Sequence, residues 1–316
     1  MLRMIQTRCA WQYVSAVAVA ASVVVALLVM PASAQEGKQK VFGAPEEAMK
    51  AFVEAVQAGD TKVLMAILGP DGEDIISSGD EVADKNIREQ FLKDYQTKVD
   101  FVKEKEDRVS VIMGNDHWPF PIPIIKMAGG WVFDTKAGRE EVLNRRIGRN
   151  ELNAIQVCRA YVEAQREYAS TDRERDGIIQ YAQKLWSDPY RRNGLYWEAG
   201  EGEMQSPVGP GVAQAAAEGY TKKSDKPAPY HGYYYKILKG QGKSAPGGAY
   251  QYVINGHMVA GFALVAWPAQ YGVSGVVTFV VNQNGMVYEK DLGPKTEALA
   301  KAMTLYNPDR TWKRAQ

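Results

Sequence analysis

The spacing of the hydrophobic residues changes near residue 100, and this change constrains the fold more than any other feature of the chain. Over residues 45–95, apolar positions recur at helical spacing and predict three helices. The first ends at Gly59, the second begins after a cap at Asp60, and the third begins at about Asp84. Further on they alternate, and the segments 108–113, 120–127 and 131–133 predict short strands. Helices followed by strands, rather than alternating with them, indicate the α+β fold class.

The rest of the chain repeats this order, with a helical segment followed by strands. Residues 138–166 predict a long helix, and its stretch 144–151 is charged nearly all round, which is typical of a solvated connector between domains. Antiparallel strands are predicted beyond it at 230–238, 262–267, 276–281 and 286–290. We therefore predict two domains, an α+β domain over 44–140 and a domain of a helix and an antiparallel β-sheet over 141–316.

The first 34 residues predict an export signal. Arg3 and Arg8 precede an apolar run over 14–30, and the Pro-Ala-Ser-Ala that follows predicts cleavage after Ala34 and a periplasmic location. The alternative is an uncleaved anchor in the inner membrane, since a run of about 17 residues approaches the length of a membrane span. Once the signal is cleaved, no second apolar run predicts a transmembrane segment. The balance of 38 basic and 37 acidic residues gives no reason to expect a nucleic-acid partner.

Two known folds resemble the two halves. Residues 44–140 resemble the NTF2-like (cystatin-like α+β) superfamily, on the Pro-Glu-Glu-Ala opening at 45–48 and the Gly-Gly-Trp-Val-Phe-Asp strand at 129–134. This resemblance implies a cone of helices and curled sheet around a pocket. The second half resembles the globular part of type IV pilins and pseudopilins, on Gly-Tyr-Tyr-Tyr at 232–235 and the hairpin at 284–288. This implies a long helix packed on an antiparallel sheet, without the hydrophobic helical half that assembles a pilus.

Four sequence blocks also resemble an uncharacterised family of secreted Gram-negative bacterial proteins, domain of unknown function 2950, over residues 44–314. The blocks are Asn144–Leu152, Gly194–Glu198 with Gln205–Pro207, Ala245–Tyr250, and Gly261–Pro268. The resemblance implies no reaction, no cofactor and no catalytic residue.

The chain contains few histidines and cysteines, the residue types that commonly act as metal ligands or in catalysis. The three histidines lie in separate segments, at His117, His231 and His257, and they lack the spacing of metal ligands, so we predict neither a metal nor a cofactor. Cys158 lies in the middle of the long helix and is expected to be a buried apolar residue. The alternative is a reactive thiolate whose pKa is lowered by Arg159.

Two loops contain residue types that also occur in ligand sites. The acidic stretch 71–84 does not match the spacing of a calcium loop, so helix caps and a solvated loop are the favoured interpretation over calcium binding. The glycine-rich loop 240–248 lies between strands, whereas a phosphate cradle leads directly into a helix. We expect a hairpin loop there, with a binding role left open.

Aromatic residues are the strongest compositional signal, because they crowd the C-terminal part of the chain among glycines and prolines. Rigid aromatics in such a setting predict a binding surface, with plain core packing as the alternative. The candidate binding residues are Trp197, Tyr234, Tyr250 and Trp267. The sequence thus predicts an exported, non-enzymatic protein that binds an envelope protein or a small ligand. The alternative is a small-ligand-binding or hydrolytic enzyme that uses the pocket of the N-terminal cone, with Asp116, His117 and Trp118 at its mouth.

Overall fold

The structure is a computed structural model that describes residues 39–200, 202–220 and 228–315. The predicted signal of residues 1–34 and its cleavage point after Ala34 lie outside these ranges. Blocks of helices and antiparallel strands follow one another along the described chain, which confirms the α+β class. No helix within those ranges is long and apolar enough to cross a membrane.

Four helices open the N-terminal part: α1 (Pro45–Ala58), α2 (Thr61–Leu68), α3 (Glu73–Ile76) and α4 (Glu81–Thr97). The predicted stop of α1 is confirmed, because Gly59 takes the left-handed φ of 65° that a glycine C-cap adopts. The carboxylates of Asp60 and Asp80 cap α2 and α4 by accepting hydrogen bonds from the backbone N–H groups of Val63 and Ala83. Helix α4 begins about one turn earlier than predicted because of this second cap.

The first sheet is antiparallel, in the order β1-β2-β4-β5, with β3 also paired to β2. Its strands are β1 (Val99–Lys105), β2 (Arg108–Met113), β3 (Trp118–Pro119), β4 (Ile124–Met127) and β5 (Gly130–Phe133). Strand β1 was not predicted, since it is an edge strand whose second half is charged and exposed. Between the sheet and the helices, the Phe52 ring centroid lies 5.3–5.6 Å from those of Phe91, Phe120 and Phe133. Four phenylalanine rings therefore pack together inside this part, among aliphatic side chains.

Helix α5 (Thr135–Tyr168) is a single helix of 34 residues, and it corrects the prediction of a solvated connector at 144–151. Arg146 and Asn150 are each only 5% exposed. Arg146 donates to the carbonyl oxygens of Asp74 and Ile75, and Asn150 donates to that of Ser274. Charged and polar side chains are tolerated in a protein interior when they find such partners, so the polar pattern did not indicate exposure.

The second sheet is also antiparallel, in the order β14-β13-β12-β11-β6. Its strands are β6 (Tyr233–Leu238), β11 (Ala263–Pro268), β12 (Val277–Asn282), β13 (Tyr288–Asp291) and β14 (Lys313–Arg314). Helices α5 and α7 (Thr296–Ala302) both contact it, and every residue of β11 is buried. The remaining elements are α6 (Gly209–Ala217), two 3₁₀ helices (Pro70–Gly72 and Gly293–Lys295) and two short ladders. The ladders pair β7 (Gly240–Gln241) with β8 (Tyr250–Gln251) and β9 (Val253–Ile254) with β10 (His257–Met258).

Two hydrophobic clusters form the core, one around the first sheet and one around the second. The described residues nevertheless belong to one compact unit. Asp80 joins the clusters, because its Oδ2 accepts hydrogen bonds from the Tyr220 hydroxyl at 2.9 Å and from the Gly232 backbone N–H at 2.8 Å. We call these three residues the Asp80 clasp. The division into domains at 44–140 and 141–316 stays a prediction.

Candidate functional site

Four arginines line one surface cleft beyond the C-terminal end of α5. The cleft has a volume of about 340 Å³. Two chain segments line it, Arg173, Glu174 and Arg175 on the first and Tyr190, Arg191 and Arg192 on the second. We call it the arginine cleft. Four guanidinium groups against one carboxylate concentrate positive charge here, in a chain whose net charge is only +1.

Asp172 shapes the first segment of the arginine cleft. Its carboxylate accepts hydrogen bonds from the backbone N–H groups of Arg175 at 2.7 Å and Gly177 at 2.8 Å. These backbone donors, Gly177 foremost, favour the charged form and lower the pKa of Asp172. The turn holds Arg175 at a φ of 58°, which is uncommon for a residue that carries a Cβ. A charged Asp172 therefore fixes the direction in which Arg175 leaves the backbone.

Asp188 shapes the second segment in a similar way. Its backbone N–H donates to Asn193 Oδ1 at 2.9 Å, and its Oδ2 accepts from Asn193 Nδ2 at 2.8 Å and from Lys184 Nζ at 2.6 Å. The hydrogen bond from Asn193, followed by that from Lys184, lowers the pKa of Asp188. Within this turn Tyr190 has a φ of 62° and projects its ring fully into solvent.

Tyr168, the last residue of α5, ties both segments to the helix. Its hydroxyl donates to the Arg192 carbonyl oxygen at 2.6 Å, and its own carbonyl oxygen accepts from Arg173 Nε at 3.3 Å. The residue is 1% exposed, and burial raises the pKa of its hydroxyl, which stays a neutral donor. One buried residue therefore holds both segments, the first through its backbone carbonyl oxygen and the second through its hydroxyl.

Trp197 lies behind the arginine cleft. The guanidinium carbons of Arg173 and Arg192 lie 5.8 Å and 5.7 Å from the centroid of its ring, within the range of a cation–π interaction. Its indole Nε1 donates to the Met204 carbonyl oxygen at 3.0 Å, and the residue is 7% exposed. Trp197 is buried and supports two arginines that line the cleft, and its predicted contact with a ligand stays a prediction.

Hydrogen-bond donors of the cleft remain free for a ligand. Arg191 makes one long contact, from Nη2 to Glu174 Oε2 at 3.4 Å, and Arg192 lies 3.9 Å from Glu203. Within the part of the chain that the structure describes, the guanidinium of Arg175 has no hydrogen bond or ion pair. A guanidinium carries five N–H donors in a planar fork that matches carboxylate and phosphate oxygens. The free donors of the arginine cleft can therefore form hydrogen bonds and ion pairs with an anion.

The other three predicted binding residues lie elsewhere. Trp267 is 5% exposed on β11 and packs against Tyr234, with ring centroids 5.7 Å apart. Tyr250 is 37% exposed, packs on Tyr252 and accepts a hydrogen bond from Gln283 Nε2 at 3.1 Å. The described lining of the arginine cleft contains none of these residues. A binding role for Tyr234, Tyr250 and Trp267 stays a prediction.

The buried position of Cys158 is confirmed. The residue is 0% exposed, and desolvation raises the pKa of its thiol to about 12, with Arg159 compensating only in part. His117 is exposed, and its Nδ1 lies 2.9 Å from the carbonyl oxygen of Asn115 in its own turn. The Arg145 guanidinium lies over the ring of the neighbouring Trp118, at 5.3 Å.

The two loops also have structural explanations. In the acidic stretch, Asp80 caps α4 and Asp84 accepts from the Ser78 backbone N–H, which confirms helix caps, although both carboxylates are buried rather than solvated. No group of three His, Cys, Asp or Glu side chains within the described ranges is arranged to hold a metal ion. In the glycine-rich loop, the Gln241 side chain donates to the carbonyl oxygens of Pro246 and Gly248 and closes the hairpin.

The arginine cleft was not predicted from the sequence. Its residues lie in an irregular segment, where neither helical nor strand spacing indicates which side chains face each other. Alternating acidic and basic residues over 172–176 resemble an ordinary solvated surface. The usable signal was the pairing of turn-forming aspartates, at 172 and 188, with nearby arginines in both segments.

Fold and site together define an α+β protein in which a long helix joins two antiparallel sheets and ends at a cleft lined by arginines. The chain belongs to the family described as Protein of unknown function (DUF2950), whose family model matches residues 39–315. No curated protein and no solved structure matches the chain. Membership confirms the family resemblance over nearly all of the described residues, and it assigns no activity.

Proposed function

We propose that this protein is an exported, non-enzymatic binding protein of the bacterial envelope, and that it holds an anionic ligand in the arginine cleft. The observation that carries the proposal is the convergence of four guanidinium groups on one cleft. Arg175 on the first segment and Arg191 on the second retain most of their donors for a ligand.

Preorganisation supports binding at this cleft. A binding site loses affinity when its side chains or loops must become ordered around the ligand. Here Tyr168, Asp172 and Asp188 hold the two segments, and Trp197 stacks against two of the guanidinium groups. Each hydrogen bond to a charged group contributes about 1.5–3 kcal/mol, so three of them contribute at most about 9 kcal/mol. A micromolar Kd corresponds to about 8 kcal/mol, so such binding requires that little free energy is lost to ordering.

Export is the second part of the proposal. It is supported by the sequence pattern of residues 1–34, with cleavage after Ala34 and release into the periplasm. An uncleaved signal that anchors the protein in the inner membrane is the alternative. N-terminal sequencing of the protein from a periplasmic extract distinguishes them, since cleavage leaves Gln35 first, whereas a chain retained in the membrane fraction with an intact N-terminus contradicts release.

We further infer that the part over 44–140 is NTF2-like and that α5 with the second sheet is pilin-like. The order of helices and antiparallel strands supports the first inference, and the packing of α5 on β11 and β12 supports the second. The alternative of an enzyme that uses the cone pocket draws no support from the packing. Four phenylalanine rings occupy that interior, and His117 points to solvent in its own turn.

Calorimetry tests the binding proposal directly. Citrate and inorganic phosphate are titrated into the purified protein at low ionic strength, and the double variant Arg175→Gln/Arg191→Gln is compared with the control Arg159→Gln/Arg310→Gln. Both variants remove the same charge from exposed positions, but only the first removes it from the cleft. We expect at least tenfold weaker anion binding in the cleft variant and little change in the control.

Two results would overturn the proposal. In one, neither anion binds to the unmodified protein. In the other, the cleft variant and the control lose affinity equally, which would mean that the net charge of the protein and not the cleft attracts the anions.

A further inference from the structure

The arginine cleft contains two residues that a simple anion does not need, Tyr190 and Glu174. We propose that its ligand is an acidic sugar, a pyranose ring that carries a carboxylate, in a short or polymeric saccharide. This inference rests on the proposed function and names the chemical class of the ligand.

Tyr190 supplies the first argument. Its ring is fully exposed, with a relative accessibility of 108%, and no ring contact to it exists among the described residues. A single exposed aromatic residue is common on protein surfaces, so exposure alone indicates nothing. Tyr190, however, directly precedes two of the four cleft arginines and lies within the turn that Asp188 and Asn193 close. A rigid aromatic face covers the C–H face of a sugar ring at low entropic cost.

Glu174 supplies the second argument. Its carboxylate lines the cleft beside the arginines, and its Oε2 contacts Arg191 Nη2 at 3.4 Å. A carboxylate repels a densely charged anion such as phosphate, so its presence in a phosphate site is unfavourable. Sugar hydroxyl groups are different, because they donate hydrogen bonds and need an acceptor, which a carboxylate provides. The lining therefore offers donors for a carboxylate, an acceptor for hydroxyls and an aromatic face for a ring.

The size of the cleft agrees with this class of ligand. Its volume of about 340 Å³ lies at the small end of ligand sites, which span roughly 300–1,000 Å³. Such a space suits one or two sugar rings rather than a large folded partner. The exposed ring of Tyr190 at the rim leaves room for a longer saccharide to extend along the surface.

The test compares four probes by calorimetry on the purified protein: trigalacturonate, the neutral maltotriose, inorganic phosphate and triglutamate. We expect trigalacturonate to bind at least tenfold more tightly than each of the other three. Tyr190→Ala is expected to weaken trigalacturonate binding about fivefold to tenfold and to leave phosphate binding unchanged. Tyr271→Ala is the matched control, since it removes a tyrosine ring outside the cleft, and it is expected to change neither.

The outcomes separate this inference from the proposed function. If phosphate binds as tightly as trigalacturonate and Tyr190→Ala changes nothing, the acidic-sugar inference is overturned while anion binding stands. If triglutamate binds as tightly as or more tightly than trigalacturonate, the ligand class is an acidic peptide and the inference is also overturned. If none of the charged probes binds, the inference and the proposed function fail together.

Discussion

Cys158 illustrates at the residue scale how burial controls the chemistry of a side chain. The residue lies on α5 with no exposed surface, and desolvation raises the pKa of its thiol to about 12. Because the thiolate is the reactive species, both access and ionisation protect this cysteine from alkylation and oxidation.

We therefore expect Cys158 to be unreactive toward a thiol reagent in the folded protein at pH 8. The measurement uses a Cys9→Ser background, so that Cys158 is the only cysteine in the chain. Labelling should rise to one thiol per chain when guanidinium chloride unfolds the protein. Rapid and complete labelling without denaturant would contradict the buried position.

Residues whose role depends on their neighbours in sequence were the ones that could be predicted. Gly59 and Asp60 were predictable, because a cap acts on the helix next to it. Arg146 and Asn150 were not, since their partners lie on segments far away in the chain. Arg175 and Tyr190 were missed for the same reason: the cleft exists only once two distant turns meet.

At the scale of elements, the C-terminal end of α5 carries the candidate site. The helix was predicted closely, as 138–166 against the observed 135–168, because its apolar residues repeat at helical spacing over many turns. The segments after it could not be predicted, because hydrogen bonds of individual side chains, rather than a repeating pattern, determine their course. Tyr168 is the last residue of the helix and contacts both of the irregular segments.

Replacement of Tyr168 by phenylalanine tests this connection. The change removes the hydroxyl that donates to the Arg192 carbonyl oxygen at 2.6 Å, without changing the packed ring. We expect a loss of about 1–2 kcal/mol in the free energy of unfolding in urea, the usual effect of deleting one buried hydrogen bond. We also expect weaker citrate binding, because the second segment of the arginine cleft loses its anchor.

The matched control is Tyr161→Phe, about two turns earlier on the same helix and in the same core. Tyr161 also donates a buried hydrogen bond, to the Ala263 carbonyl oxygen at 3.3 Å, but it does not line the cleft. It should lower stability and leave citrate affinity unchanged. Equal effects of both variants on citrate binding would mean that general destabilisation, and not the anchor, is responsible.

At the scale of the whole molecule, the question is how two hydrophobic clusters behave as one unit. The Asp80 clasp is one connection, since a carboxylate at the start of α4 accepts from Tyr220 and Gly232 beside the second sheet. Burial and the charge of Asp80 raise the pKa of Tyr220, so its hydroxyl stays a neutral donor. Asp80 is 1% exposed, and its removal leaves these donors without their partner.

Two N-cap aspartates make the contribution of the clasp measurable. Asp60 caps α2 on the surface, and among the described residues its carboxylate accepts a hydrogen bond from Val63 alone. Asp80 caps α4 and also accepts from Tyr220 and Gly232 beside the second sheet. Asp60→Ala should lower the free energy of unfolding by about 1 kcal/mol, the usual effect of a lost cap. Asp80→Ala should lower it by about 3–5 kcal/mol, because two further buried donors become unsatisfied.

The clasp also predicts a change in cooperativity. If Asp80 couples the clusters, the two parts should open with different free energies of hydrogen exchange in Asp80→Ala. These parts are the region 45–133 and the strands β6, β11 and β12. In Asp60→Ala both parts should open together. A similar loss of stability in the two variants, with exchange remaining uniform in both, would mean that the helix cap is the whole contribution of Asp80. The coupling of the clusters would then rest on other contacts, among them those of α5, whose unbroken length runs beside both clusters.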